Sequence, residues 1–150
     1  MIEIDRIDQQ ILRELQRDAR ISNVRLAERV ALSPSACLRR VQELERGGIV
    51  KGYRAVVDRS RLGAGFRAYV SVGLSSHTKA SQEAFENAVA LSPEVVECHN
   101  VTGAIEYLLR IEVADIEAYK AFHTDVLGTL PTVSAITTFV VLGSPKDERA

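Results

Sequence analysis

Between Ser33 and Arg46, hydroxyl, amide and guanidinium side chains recur at helical spacing. Ser35, Arg39, Gln42 and Arg46 fall on one stripe, with Arg40 on its flank. Guanidinium forks match phosphate oxygens and guanine edges, and small residues at the start of such a helix (Ser33, Ser35, Ala36) let its backbone approach a groove closely. The competing reading is an ordinary helical hairpin with a solvated face. A merely solvated helix, however, more often mixes Glu and Lys along its outer stripe.

Other reactive residues form no such pattern. Glu97, Cys98 and His99 are the one dense trio. Neighbours on a strand point to opposite faces, so Cys98 and His99 cannot share a site. His77 and His123 are isolated in the chain. Cys37 and Cys98 are far apart and in no CxxC, and are expected as small buried hydrophobes of a reducing compartment. No catalytic residue, metal ligand or cofactor motif is assigned.

The elements that must position the stripe are local and well signalled. Asp5 starts a helix running to about Arg17, with Asp8 at the third position of a capping-box-like start and Ile7, Ile11, Leu12 and Leu15 inward. Ser22 caps a second helix, with Ile21 and Leu26 placed to staple its entry and Leu26, Ala27 and Val30 on its apolar face. Ser33-Pro34 starts the third helix as N-cap and first residue. Cys37, Leu38, Val41 and Leu44 are expected to face inward, and Gly47-Gly48 supplies a left-handed stop. Ile49 to Val57 reads as a short wing or connecting strand, and 58–65 (DRSRLGAG) as a linker.

From Phe66 the period changes to two. Phe66, Ala68, Val70, Val72 and Leu74 alternate with Arg67, Tyr69, Ser71 and Gly73 in a first strand. A helix over 79–91 is expected to bury Phe85, Ala88 and Leu91. Strands over 95–102 and 105–113 meet at Gly103-Ala104. Asp115 caps a helix with Ile116, Tyr119, Phe122 and Val126 inward, and a last strand covers 133–142. The order βαββαβ predicts a ferredoxin-like split βαβ sandwich, so the chain is α+β. Two helices cover one face of four strands. Depending on register, the other face is expected to carry Val95, Val101, Leu108, Ile136, Val140 and Leu142, an apolar surface that asks for a second copy of the chain. A dimer would also present two recognition helices about one turn of duplex apart. The expected organisation is a DNA-binding domain at 1–58, a linker at 59–65, a ferredoxin-like oligomerisation domain at 66–143, and a frayed tail at 144–150.

Charge supports that division. The 150 residues carry a net charge of −1, which alone argues against a nucleic-acid partner. Residues 1–60, however, hold twelve Lys/Arg against nine Asp/Glu, and residues 61–150 hold seven against eleven. A basic first part and an acidic remainder suit one domain near phosphates and another away from them. No apolar run reaches the length of a membrane span, and the first residues are too acidic for a signal peptide, so a cytoplasmic location is expected.

The runs DRIDQQILRELQRDARIS and LAERVALSPSACLRRVQELERGGIVKGY resemble the Lrp/AsnC (feast/famine) regulators. So do VVECHNVTGAIEYLL, AYKAF and LPTV in the second half. The resemblance spans nearly the whole chain. It implies a winged helix-turn-helix joined to a ferredoxin-like (RAM/ACT-like) domain that senses an amino-acid effector. It also implies homodimers, often assembled to octamers, acting on double-stranded DNA at the nucleoid to control genes of amino-acid metabolism and transport. Carried over by motif, the DNA-contacting positions are Ser33, Pro34, Ser35, Ala36, Leu38, Arg39 and Arg40, with Gln42 added from the stripe. For Arg40 the alternative is a structural pair with Glu43 or Asp18. The family's effector loop, commonly Gly-Asp-Tyr/Phe-Asp, aligns with Gly103, Ala104, Ile105 and Glu106, with Thr102 beside it and Ser134 and Thr137 as hydroxyl contacts. Two departures stand out. Ala104 replaces the first acid of that loop, and Ala31 replaces the usual glycine in the turn between helices. The missing acid leaves open a second function, that of a ligand-independent architectural DNA-binding protein.

Overall fold

The computed structural model describes residues 3–147 and divides into two compact units, Met1–Val56 and Val57–Ala150.

The first unit contains α1 (Arg6–Arg17), α2 (Asn23–Arg29) and α3 (Pro34–Arg46). All three start on side-chain caps. Asp5 Oδ1 accepts from Asp8 N at 2.8 Å and Asp8 Oδ2 accepts from Asp5 N at 3.1 Å, a complete capping box. Ser22 caps α2, and Ser33 accepts from Ala36 N at 3.3 Å with Pro34 opening α3. Ile11, Leu26, Ala27, Val30, Cys37 and Leu44 form the core. Leu38, expected inward, is 46% exposed, because Cys37, Val41 and Leu44 already fill the inward arc of α3. In the turn between α2 and α3, Ala31 has φ 55°, a left-handed residue costing on the order of 1 kcal/mol without glycine. After α3 the left-handed residue is Gly48, at φ 71°. The expected wing is not a strand. Ile49 N and Val50 N bond back to Leu44 O, residues 51–57 are exposed, and Tyr53 donates to Glu45 at 2.8 Å.

The second unit begins where a linker was expected, with a short 3-10 turn (Arg59–Leu62) capped by Asp58. It then runs β1 (Phe66–Leu74), α4 (Lys79–Ala90), β2 (Val95–Asn100), β3 (Tyr107–Val113), α5 (Ile116–Ala121), a π turn and a 3-10 turn (Phe122–Val126, Leu127–Thr129), and β4 (Val133–Val140). The four antiparallel strands lie in the order β2-β3-β1-β4, the ferredoxin-like arrangement expected from βαββαβ. Ala68, Val70, Val72, Tyr107, Leu109 and Ile111 are fully buried under the helices with Phe85 and Leu127. Leu91 and Ile116, expected inward, are 86% and 57% exposed. They sit just beyond the end of α4 and at the first position of α5, where nothing covers them.

The open sheet face differs most from expectation. Ile136 stands opposite Val72 and Val140 opposite Ala68, so both lie on the helix side, and Val95 packs into that same core. Val101 lies beyond the end of β2, and Leu142 beyond β4 is 99% exposed. Leu108 does take the open side, opposite Ser71, together with Phe139 opposite Tyr69. A register shift at Gly73/Leu74 sets this parity, and a slip of one residue turns every side chain over. The centre of the open face is ionic. Glu112, its side chain 4% exposed, lies 3.3 Å from both Arg67 and Arg110 and 3.4 Å from Arg59. Glu97 reaches Arg110 at 3.4 Å. The expected frayed tail instead places Asp147 3.6 Å from Arg67 and 3.7 Å from Arg110, while 148–150 lie outside the described residues.

Candidate DNA-binding and effector sites

In the first unit, α3 presents its start and outer stripe to solvent. Ser33, Pro34, Ser35, Arg39 and Gln42 are exposed and Ala36 is half-buried. Ser33 and Ser35 hydroxyls lie 3.3 Å apart. Asn23, at the first turn of α2, donates from its side-chain amide to Pro34 O at 2.8 Å and so ties the two helix starts together. Neither periodicity nor the motif pointed to that bond. Leu38 joins the exposed set and can offer apolar contact there.

Arg40 does not join them. Its guanidinium turns back to α1, 2.7 Å from Asp5 and 2.8 Å from Asp8, and its side chain is 25% exposed. These carboxylates raise the guanidinium further above its ordinary value, Asp8 more than Asp5. Asp5 is held below the usual carboxylate range, first by the Asp8 backbone N–H and then by Arg40. Arg40 is therefore a clamp between α3 and α1. It pairs with Asp5 and Asp8, not with the Glu43 or Asp18 named from sequence.

In the second unit, the loop after β2 closes through Val101 N to Glu106 O at 2.9 Å and docks through Glu106 N to Val72 O at 3.1 Å. Gly103 has φ 129°, a conformation that needs glycine. Thr102, Gly103 and Ala104 are exposed and Ile105 half-buried. Glu106 is not a solvated hairpin residue. Its Oε2 accepts from Leu74 N at 2.5 Å, just past Val72, where the pairing of β1 with β3 ends, and its Oε1 lies 3.2 Å from His77 Nδ1. From the other side, Ser134 donates to Gly73 O at 3.1 Å. A Cβ on Gly73 would lie 3.7 Å from both Glu106 Oε2 and Ser134 Oγ, so the two expected contacts converge on this backbone. Thr137 stands opposite Ser71, further along the open face. His77, isolated in the sequence, is brought in because Ser75 N is pinned to Thr132 O at 2.8 Å and Thr78 caps α4.

The Glu97-Cys98-His99 trio divides as expected. Glu97 and His99 stand opposite Arg110 and Leu108 on the open face, and Cys98 opposite Leu109 on the other. Cys98 is exposed, not buried as expected, because β2 is an edge strand. Among the described residues no helix is long and apolar enough to cross a membrane.

Comparison with known proteins assigns both units. A model of the winged helix-turn-helix DNA-binding family matches residues 4–51, and one of the Lrp/AsnC ligand binding domain matches residues 67–150. The chain is 42% identical over 144 residues to the leucine-responsive regulatory proteins of Klebsiella pneumoniae and Escherichia coli (strain K12), covering 96% of this chain and 88% of each relative. Its fold superposes with a TM-score of 0.92 on a Neisseria meningitidis transcriptional regulator solved in complex with L-Met, 37% identical, over 97% of this chain and 94% of that one. An AsnC family transcriptional regulator from Agrobacterium tumefaciens follows at TM-score 0.89 and 32% identity, over 95% and 93% of the two chains.

Proposed function

The chain belongs to the Lrp/AsnC family of DNA-binding transcriptional regulators, and from that premise we propose how its residues divide the work. DNA is read by the first unit, with Ser33, Ser35, Arg39 and Gln42 facing the groove and phosphates, Leu38 in apolar contact, and Pro34 and Ala36 permitting close approach. Residues 59–65 tether it to the sensing domain at 66–143. The observation that carries the reading is the start of α3, capped by Ser33 and tied to α2 by Asn23, with Ser33, Ser35, Arg39 and Gln42 exposed.

The effector we propose is an amino acid bound beside Thr102–Glu106, with Ser134 and Thr137 from β4. Its carboxylate would take loop N–H groups and its ammonium the Glu106 carboxylate. Relatives named for leucine and a neighbour solved with L-Met support this class. The protein would act in the cytoplasm on nucleoid DNA, as a homodimer assembling through the open sheet face and on to octamers, and would regulate genes of amino-acid metabolism or transport. No cofactor is required for this. Ala104 keeps the second reading alive, a ligand-independent architectural binder.

Footprinting on the DNA upstream of the protein's own gene, with and without L-leucine and L-methionine, tests both readings. A protected, effector-responsive site is expected. Uniform coating of unrelated DNA, unmoved by either amino acid, would favour the architectural reading, and no protection at all would overturn both.

A further inference from the structure

The geometry points to His77 as a built-in competitor for the effector's ammonium group, an inference that rests on the Glu106 site proposed above. Both oxygens of this carboxylate are engaged within its own unit. Oε2 holds the Leu74 N–H at 2.5 Å, two residues beyond Val72, where the pairing of β1 with β3 ends. Oε1, the oxygen left for a ligand, has the His77 imidazole Nδ1 at 3.2 Å. An imidazole N–H there makes the contact that an ammonium would make, and a protonated ring also brings the same charge.

The two contacts differ in permanence. Leu74 N is part of the buried sheet, whereas the His77 side chain is 71% exposed and free to swing out. Position 104 is alanine, so the loop offers no second carboxylate to hold two cations side by side. An ammonium accepted at Oε1 weakens that oxygen's hold on the imidazole N–H, and the imidazole weakens its hold on the ammonium. The histidine is kept at hand by its short connection, with Ser75 pinned to Thr132 on one side and Thr78 capping α4 on the other. Effector entry would thus displace His77. The effect on affinity is modest, because an exposed pair of this kind is weak.

Calorimetric titration of the full-length protein with L-leucine and with L-methionine tests this on four forms: wild type, His77→Ala, His77→Lys and Glu106→Gln. Removing the competitor should tighten binding about two- to fivefold in His77→Ala. The permanently charged His77→Lys should weaken it. Equal or weaker binding by His77→Ala overturns the inference, since a histidine that helps hold the ligand would give that result. The absence of binding to wild type and His77→Ala alike also overturns it. Glu106→Gln keeps an oxygen for Leu74 N–H and removes the charge. Unchanged affinity in that form would sink the site itself, whereas a loss there with no gain in His77→Ala would sink the competitor alone.

Discussion

Arg40 donates to Asp8 across 2.8 Å, from the helix that bears the exposed stripe to the buried acid of the α1 capping box. The bond separates two adjacent arginines into different roles. Arg39→Ala should weaken DNA binding and flatten its salt dependence, the log–log slope falling by about 0.9 for one lost phosphate contact. Arg40→Ala leaves Asp8 without its cation and should cost about 1–3 kcal/mol of stability, with the salt slope nearly unchanged. Denaturant melts and binding titrations across salt will separate them. A slope that drops equally in both variants would return Arg40 to the DNA surface.

The same clamp makes the first unit acid-sensitive. Asp5 is held below its ordinary value, chiefly by the Asp8 N–H and then by Arg40. A carboxyl depressed in the folded state contributes stability above its unfolded pKa, and that contribution is lost as pH falls through the folded value. The first unit should therefore keep this contribution above about pH 4 and lose it below. Asp5→Asn keeps a capping oxygen but cannot titrate, so its melting temperature should fall less between pH 5 and pH 3, both set points within about a unit of the window. Parallel curves for the two forms would remove Asp5 from the account.

What could be read in advance followed sequence distance. The Asp5–Asp8 box and the Ser22 and Ser33 caps lie within three residues of their partners, and all three were legible. The clamp role of Arg40 is hidden in the sequence because its partners stand 32 and 35 positions away. His77 is isolated in the sequence for the same reason, since Glu106 lies just before the start of the neighbouring strand β3. The apolar type of Leu38 points inward, yet Cys37, Val41 and Leu44 already fill the inward arc. Ile136 and Val140 stand on the helix side because the irregularity at Gly73/Leu74 resets the alternation, which residue types alone do not mark. Ser134 came from the family motif alone, and only the fold brings it to Gly73.

Ala31 offers a direct test of backbone strain. At φ 55° its Cβ opposes the left-handed conformation that the α2–α3 turn requires. Ala31→Gly should stabilise the first unit by about 0.5 kcal/mol, the relief of strain being partly offset by the greater freedom of glycine in the unfolded chain. Ala31→Val should destabilise it, since branching at Cβ worsens the same clash. Chemical denaturation of the three forms gives the order, and a Gly variant less stable than wild type would contradict the strain.

The ionic centre of the open face should be the costliest place to remove a charge. Glu112 is nearly enclosed by Arg59, Arg67 and Arg110, and the Arg110 side chain is itself 13% exposed. Glu112→Gln leaves three arginines around a neutral side chain, with Glu97 and Asp147 still beside Arg110, and should cost about 1–3 kcal/mol. Glu83→Gln, at the exposed Lys79–Glu83 pair, should change stability by less than about 0.5 kcal/mol. Equal effects in thermal melts would mean that water reaches Glu112 freely.

Phe139 tests the assembly. It is 56% exposed opposite Tyr69, on the same side of the sheet as Leu108, where the proposed dimer would cover it. An aromatic ring exposed beside an ionic cluster gains by burial against a second copy, and the charges around it can fix the register of the two sheets. Phe139→Glu would bury an unpaired carboxylate in that interface, at a cost of several kcal/mol, and should shift sedimentation to monomers. Leu91→Glu introduces the same charge beyond the end of α4, at a residue 86% exposed on the helix side, and should leave the assembly intact. If Phe139→Glu sediments like wild type, the copies meet elsewhere, and the ionic face must be kept for some other contact.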